Sequence, residues 1–517
     1  MSCEQSSQAL PSEPEAPSED REDRQYSEDD SKVERPKSLP SEVLFVAIIC
    51  SSQLLTQAGL ALSIVPQHII GRSFGIDNQP GKLSWFSSGY SLTVGTFILI
   101  AGRFGDVFGH KPFFVGSYVW FALWSCLAGV AVYSGPSFFI FCRTMQGIGP
   151  AFLLPNAIAI VSRCYDPGLR KNIIFCLFGA TAPGGFLLGA VFSSLISQRL
   201  WWPWSYWVLC FACLLLAVLG FFAIPATPAP RTPESESSSV WKRVDVGGSS
   251  PSSFSTLPGT KAPWSPGTTP YTYSIMIISI LVFIVFVLIE KRASHPLIPF
   301  GVLRIDSLFT LACISAGWSR FGVFVFYTLN LLEVLKEQTP LLASAQMTPI
   351  AIIGLFAAGA TGLLLNNLRV STVMLISMTF FLIGGVIFAT MPVDQIYWAQ
   401  TFVGIIVLPW GMDSSFPAAT IILSRAMPRQ HQGLAASLVT MFVNYSIAIG
   451  LGFAGTVESQ VNGQGKNVLQ GYRGAFYMSV GLAGLGVVVA LLFCFAERFH
   501  IKIERVQEKT DSQEMLV

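Results

Sequence analysis

The sequence predicts an all-α integral membrane protein: two six-helix bundles joined by a linker that carries one or two extra helices. Three observations predict it. Only 12% of the 517 residues are charged and 52% are hydrophobic, whereas a soluble chain carries about 25% charge. Thirteen apolar runs each approach the roughly 20 residues that a helical crossing needs. The two halves also resemble each other weakly at an offset of about 260 residues, and such internal repeats mark transporter folds. The composition excludes a soluble globular enzyme. A net charge of +2, from 32 basic against 30 acidic residues, leaves no footprint for nucleic acid.

Residues 1–42 form the first element. The first forty hold 11 acidic residues, 5 basic residues and 8 serines, too little apolar surface to offset the entropy of ordering, so a disordered acidic tail is expected. A positive leader, short apolar core and small-residue cleavage site are absent, so the first membrane segment is expected to serve as an uncleaved anchor. The apolar runs follow at 43–66, 83–102, 113–133, 138–161, 173–196 and 204–224, giving a first bundle over 43–224. The linker, 225–306, opens with nine prolines and ten serines within 225–271 and then carries an extra run at 272–289. Runs at 307–331, 341–364, 370–391, 397–423, 433–457 and 474–496 make the second bundle, 307–496, and a polar tail, 497–517, ends the chain.

Orientation follows from Lys and Arg in the short loops. With the N-terminal tail inside, the inner loops of the first half carry Arg103, Lys111, Arg163, Arg170 and Lys171, and the outer loops carry Arg72, Lys82 and Arg199. In the second half ten cations fall on one side, including Arg369, Arg425 and Arg498, against Lys336, Lys466 and Arg473 on the other. Both termini are therefore expected in the cytoplasm. That demands an even number of crossings, and thirteen runs are present.

Ten cysteines are scattered, mostly within apolar runs; Cys210 and Cys213 read as small apolar filler. Five dispersed histidines, among them His68, His110 and His431, make no catalytic or metal cluster, and no Gly-rich Lys-Ser/Thr loop for ATP is present. Neither a membrane enzyme nor a primary pump is expected, and no cofactor or metal is implied.

The strongest local signal is Gly102-Arg103-Phe104-Gly105-Asp106-Val107-Phe108-Gly109-His110-Lys111, between the second and third runs. Its glycines suit a tight turn, and Asp106 is expected near the start of the next helix, where the dipole favours a carboxylate. Arg143 lies inside a run, where a cation is costly and ordinarily faces a cavity or partner, with Gln146 one turn on. The repeat places Pro155 and Ser162-Arg163 against Pro417 and Ser424-Arg425.

The segment at 102–111 resembles the loop signature of the major facilitator superfamily. Arg143-Thr144-Met145-Gln146-Gly147-Ile148-Gly149 resembles the span-four motif of its drug:proton antiporters. Gly179-Ala180-Thr181-Ala182-Pro183-Gly184-Gly185, with Gly189, is similar to their antiporter motif, with Ala182 where glycine is usual. Pro409-Trp410-Gly411-Met412-Asp413, Gln432-Gly433-Leu434-Ala435-Ala436-Ser437, Asn444-Tyr445-Ser446 and Gly455-Thr456-Val457-Glu458 resemble the fungal fourteen-span branch, that of aminotriazole-resistance-like exporters.

The resemblance implies a monomer of major-facilitator fold that exports a small organic compound in exchange for protons. The expected membrane is the plasma membrane, or that of the vacuole. Carriage of a small inorganic or nitrogenous solute, such as ammonium or borate, is the alternative, and a nonfunctional product lacking the seventh span is another. By motif, Gly102, Arg103, Asp106, Gly109 and Lys111 would form a cytoplasmic gate. Arg143 and Gln146 would serve proton coupling. Gly179, Pro183, Gly184, Gly185 and Gly189 would form a bend and a tight interface. Relatives in this branch commonly have an Asp nine residues before a span-one Pro; counting back from Pro66 gives Gln57, which cannot titrate. Asp413 then becomes the best remaining membrane carboxylate for the proton. Arg320 could bind an anionic group or pair with a neighbour, and Gln57 and Asn444 are further candidates for substrate contact. Relatives also carry a span where Gly247–Lys261 here is rich in Ser and Pro.

Overall fold

A computed structural model describes residues 38–77, 80–165, 169–225, 281, 288, 305–426, 432–463 and 467–514. Helix is the regular structure throughout, as a chain must adopt where no water is available to satisfy its amides. The first half contains α1 (Leu39–Ile64), the short α2 (Gln67–Ser73) and α3 (Pro80–Leu83), α4 (Trp85–Phe108) and α5 (His110–Val130). It continues with α6 (Pro136–Gln146), α7 (Ile148–Cys164), α8 (Leu169–Arg199) and α9 (Pro203–Ala223). The second half contains α10 (Ile305–Asn330), which runs into a π-helical turn at Leu331–Leu335, and α11 (Pro340–Asn367). After these come α12 (Val370–Ala389), α13 (Gln400–Ala426), α14 (Gln432–Val461) and α15 (Val468–Glu514).

Among the described residues eleven spans are long and apolar enough to cross a bilayer, with α6 and α7 counted together. α4 is a twelfth long helix, and its lower hydropathy has a cause. Ser87, Ser88, Ser91, Thr93 and Thr96 are buried hydroxyls; Ser87, Thr93 and Thr96 bond to carbonyls or to neighbouring helices, as when Thr93 donates to the Thr144 carbonyl at 2.6 Å. Large apolar side chains such as Phe192, Phe211, Leu215, Phe356 and Phe495 stand exposed on the outer faces, the surface that lipid covers. The expected linker and extra run at 272–289 fall outside the described residues except for Leu281 and Leu288, which are helical. At the C-terminus the expected polar tail continues the last helix: α15 runs to Glu514 over 47 residues, about 70 Å, more than twice a hydrocarbon core of about 30 Å.

The repeat is realised in the packing. Within the first half α1 lies along α8 and α5 along α9; in the second, α10 lies along α14 and α12 along α15. The halves meet reciprocally, α4 against α14 and α8 against α11, so that the second span of each half packs on the fifth span of the other. A close crossing repeats as well. A Cβ on Gly189 would stand 2.5 Å from the Ala58 carbonyl oxygen, and one on Gly450 would stand 2.6 Å from that of Ser319. Both pairs are separated by the same 261 positions, so in each half a glycine of the fifth span packs on the backbone of the first helix.

Contacts also order the ends. Glu42 in the first turn of α1 accepts from Tyr165 and Arg170, at the α7–α8 junction. His68, beyond the other end of α1, meets Asn330 at the end of α10, and Trp202 at the start of α9 donates to Ser73. Ala223 and Ile305, where the chain leaves the first half and enters the second, therefore lie at the same end of the molecule as Leu39.

Candidate functional site

The Gly102–Lys111 segment turns at a single residue. Gly109, φ +94°, is the break between α4 and α5, a backbone conformation that disfavours a side chain, and its N–H donates to the Gly105 carbonyl at 2.9 Å. Asp106 therefore falls in the last turn of α4, not near the start of the next helix: the chain stays helical through Gly102 and Gly105 and breaks only at Gly109. Gly105 is small because His110 Nδ1 and Asn156 Oδ1 occupy the space a Cβ would need; those two atoms are 2.8 Å apart. Gly102 packs toward Pro155 of α7. Arg103 is half-buried, and the Lys111 ammonium lies 5.4 Å from the Phe221 ring centroid.

Arg143 is fully buried within the first half. Its Nε donates to the Phe86 carbonyl (3.0 Å), Nη2 to the Gly59 carbonyl and Ser63 Oγ (both 2.9 Å), and Nη1 to Gln146 Oε1. Gln146 Nε2 donates onward to Ser125 Oγ at 2.6 Å. The Tyr90 and Tyr206 rings lie 4.7 and 5.7 Å from the guanidinium. Four of the half's spans are joined by this one side chain and its glutamine, all through neutral acceptors.

Arg320, 1% exposed, is its counterpart in the second half. It stands 261 positions after Gly59, the residue whose carbonyl receives Arg143. The guanidinium rests on Phe324 (5.2 Å) and against the pair Gly384-Gly385 of α12. Its Nε and Nη1 have no hydrogen-bond partner among the described residues. Each half thus buries one arginine at corresponding depth, supplied by the fourth span in one and the first span in the other.

Between the halves, Asp413 of α13 points at α11: a Cβ on Gly354 would stand 2.7 Å from its Oδ2 and 3.8 Å from Pro183 of α8. That oxygen is buried without a hydrogen-bond partner among the described residues. Asp413 and Pro183, 230 positions apart, are thus brought to one place. Gly185 and Gly189 form the tight interface that their motif implies, against Leu54 and Ala58 of α1. Gly179 and Gly184 do not share in it, since a Cβ on either would meet open space. Asn444 packs on Gly95 at the α4–α14 contact and donates to the Thr440 carbonyl at 2.9 Å. Gln57 is half-buried on α1.

Among the described residues, hydrogen bonds that cross between the halves include Thr96 to Tyr445 (2.9 Å), Ser194 to Ser344 (2.8 Å) and His68 Nε2 to Asn330 Oδ1 (2.6 Å). Because Asn330 spends its amide N–H on the Phe326 carbonyl, Oδ1 is the acceptor and His68 Nε2 carries the proton. Burial lowers the His68 pKa below its ordinary 6.5 and Arg72 adds to this, while the Asn330 bond and Asp77 oppose it. Sequence reasoning passed over His68 and Asn330, yet a signal existed. They lie 262 positions apart, within one position of the 261 that relates Ala58 to Ser319 and Gly59 to Arg320, and near-equivalent residues meet only close to the axis relating two halves. The π-helical turn that follows turns Glu333 inward, and one turn earlier Tyr327 donates to the buried Glu458 at 3.1 Å.

The two halves pack reciprocally, and the sequence comparisons give the family that such a repeat belongs to. The model of the Major Facilitator Superfamily matches residues 47–412 and, again, 308–514. The chain belongs to that superfamily. It is 55% identical to the low affinity ammonium transporter of Saccharomyces cerevisiae, with 95% of each chain covered. It is 45% identical to the efflux pump terJ of Aspergillus terreus, with 91% of each covered. Among solved structures, that of a peptide transporter POT matches at a TM-score of 0.64 with 14% identity, covering 92% of this chain and 98% of the other, which speaks to the fold. Like its relatives, this facilitator is a multi-pass membrane transporter of small molecules and not an enzyme.

Proposed function

We propose that the protein is a proton-coupled carrier that exports a small organic compound, with Asp413 as the group that takes up and releases the proton. The observation that carries this reading is the buried, unpartnered Asp413 Oδ2 beside Gly354 and Pro183, at the junction of the two halves. A carboxylate without a cation or donor is far more easily kept there neutral than charged, so each turn of the cycle that exposes it to water invites ionisation. Arg143 and Gln146 serve by holding the first half together and act as positioning groups. Arg103, Asp106 and Lys111 belong to the cytoplasmic gate, and His68 with Asn330 closes the outer end. The functional unit is a monomer with both termini in the cytoplasm, in the plasma membrane or that of the vacuole, and its bundles span 43–224 and 307–496. A second reading, carriage of ammonium, is favoured by the 55% identity to a low affinity ammonium transporter.

The test is flux in proteoliposomes carrying an imposed pH gradient, with radiolabelled methylammonium and a fluorescent organic cation as alternative cargoes. Gradient-driven flux of the organic cation that Asp413→Asn abolishes is the expected result. Flux of methylammonium alone moves the assignment to the second reading. Gradient-driven flux unchanged in Asp413→Asn refutes the role given to Asp413.

A further inference from the structure

The third and sixth spans, α5 and α9, pack along each other in the first half. They run antiparallel: Tyr133, just past the end of α5, meets Trp201, just before α9, at 5.8 Å, while Lys111 at the start of α5 meets Phe221 at the end of α9. Between these ends Gly129 sets the register, because the Trp207 indole occupies the space its Cβ would need. One turn back along α5 from Gly129 is Cys126, and one turn on along α9 from Trp207 is Cys210. Antiparallel helices bring those two positions opposite each other, and the Cys126 side chain is the hydrogen-bonding neighbour of the Cys210 thiol. Cys126 also borders the bilayer. It is partly exposed and lies on the stripe of α5 that carries the exposed Val119, Leu123 and Val130, the spacing of a single helix face. Cys210 is 7% exposed, and Cys213, one turn further on, is fully buried.

Two facing thiols in hydrocarbon have a restricted chemistry. A metal ion held by a pair of thiolates would bury charge there, which is costly, whereas a disulfide exchanges two neutral thiols for one neutral bond. We infer that Cys126 and Cys210 are a modification site, a thiol pair that a lipid hydroperoxide in the bilayer oxidises to a disulfide joining the third and sixth spans. Cys126, the more exposed sulfur, attacks the terminal peroxide oxygen. The O–O bond breaks, the lipid leaves as an alcohol carrying the thiol proton, and Cys126 becomes a sulfenic acid. Cys210 Sγ then displaces the hydroxyl, which leaves as water with the Cys210 proton as the S–S bond forms. The two thiols lose two electrons and the peroxide gains them. Thiols in apolar surroundings ionise with difficulty and react slowly, so the pair answers to an oxidant concentrated around it in the bilayer before one dissolved in water. Cys213 takes no part, since it lies a turn out of register with Cys126. The inference goes beyond the transport reading and stands or falls without it.

The experiment uses the full-length protein in nanodiscs of intact phosphatidylcholine, with phosphatidylcholine hydroperoxide added to the bilayer or the same amount of hydrogen peroxide added to the water. Remaining thiols are alkylated, the protein is digested without reduction, and linked peptides are identified by mass spectrometry. The expected result is a Cys126–Cys210 link that a phosphine reductant cleaves, several-fold more abundant with the lipid hydroperoxide than with hydrogen peroxide or with intact lipid alone. Cys126→Ser and Cys210→Ser should each abolish it, and Cys213→Ser should leave it unchanged. In the wild-type protein, with no variant required, Cys126 accumulating as sulfinic acid beside a reduced Cys210 overturns the pairing, as does a Cys210–Cys213 link in its place. Loss of the link in a folded Cys213→Ser protein overturns it too. A link formed equally well by hydrogen peroxide in water, or in intact lipid alone, overturns the assignment of the oxidant.

Discussion

Replacing Arg143 by Lys keeps the positive charge inside the first half and removes the fork that distributes it. Arg143 makes four hydrogen bonds, to the Phe86 and Gly59 carbonyls, Ser63 and Gln146, which no single ammonium can reach together. One is retained in Arg143→Lys and three are lost. Hydrogen bonds between helices in a membrane are worth about 0.6 kcal/mol on average and about 1.7 at most, so the expected loss is roughly 2–5 kcal/mol. Equilibrium unfolding in mixed micelles of increasing denaturing detergent measures it, and the same series in a Gln146→Leu background should show a non-additive remainder, because the two side chains share a bond. Transport measured per folded molecule should keep its proton-to-substrate ratio. Two outcomes refute the reasoning. A loss below about 0.5 kcal/mol, less than one such bond, would mean the network does not hold the spans together. A changed ratio in folded protein would mean that Arg143 takes part in coupling itself.

Other consequences are as direct. Gly189→Ala and Gly450→Ala each press a methyl against the backbone of the first helix of its half, at 2.5 and 2.6 Å; overpacking of this kind costs about 1–3 kcal/mol, and unfolding midpoints should fall in both by similar amounts. Marked loss in one and none in the other would break the correspondence between the halves. At the end proposed to face outward, His68 packed on Asn330 has its pKa lowered below 6.5 by burial, so an opened, solvated form would bind more protons as the pH falls through that range. Closure is therefore most stable above it and weakens in acid. A cysteine at Ile69 should then react faster with an impermeant maleimide as the outside pH falls from about 7 to about 5, and His68→Gln, which can still donate to Asn330, should flatten the response. A steep response retained in His68→Gln would assign the titration elsewhere.

Much of the fold was legible in the residues because a bilayer enforces length and apolarity segment by segment. The runs at 204–224 and 370–391 became α9 and α12 almost unchanged. The run at 474–496 was recognised, but the helix was not followed through its polar extension to Glu514, since hydropathy reports the crossing and not what continues beyond it. Within the candidate site, Arg143 and Gln146 were visible because a cation and an amide one turn apart stand out in an apolar run. That their partners are the Gly59 and Phe86 carbonyls was not, because backbone acceptors have no sequence signature. His68 and Asn330 lacked any local signal; only their separation by nearly the repeat offset pointed to their meeting.

The sequence by itself determined that the chain lies in a membrane, that it consists of two related halves and that it belongs to a transporter family, because composition, periodicity and motif are properties of single segments. Tertiary structure decided which glycines touch backbone and which face open space, that Asp106 lies in the last turn of a helix and not at the start of the next, and that Asp413 and Pro183 both approach Gly354. It also decided that one buried arginine is surrounded by acceptors while Nε and Nη1 of the other find none among the described residues. These are facts about how separate helices approach one another, and an approach depends on the shapes of both surfaces, which no single stretch of sequence contains.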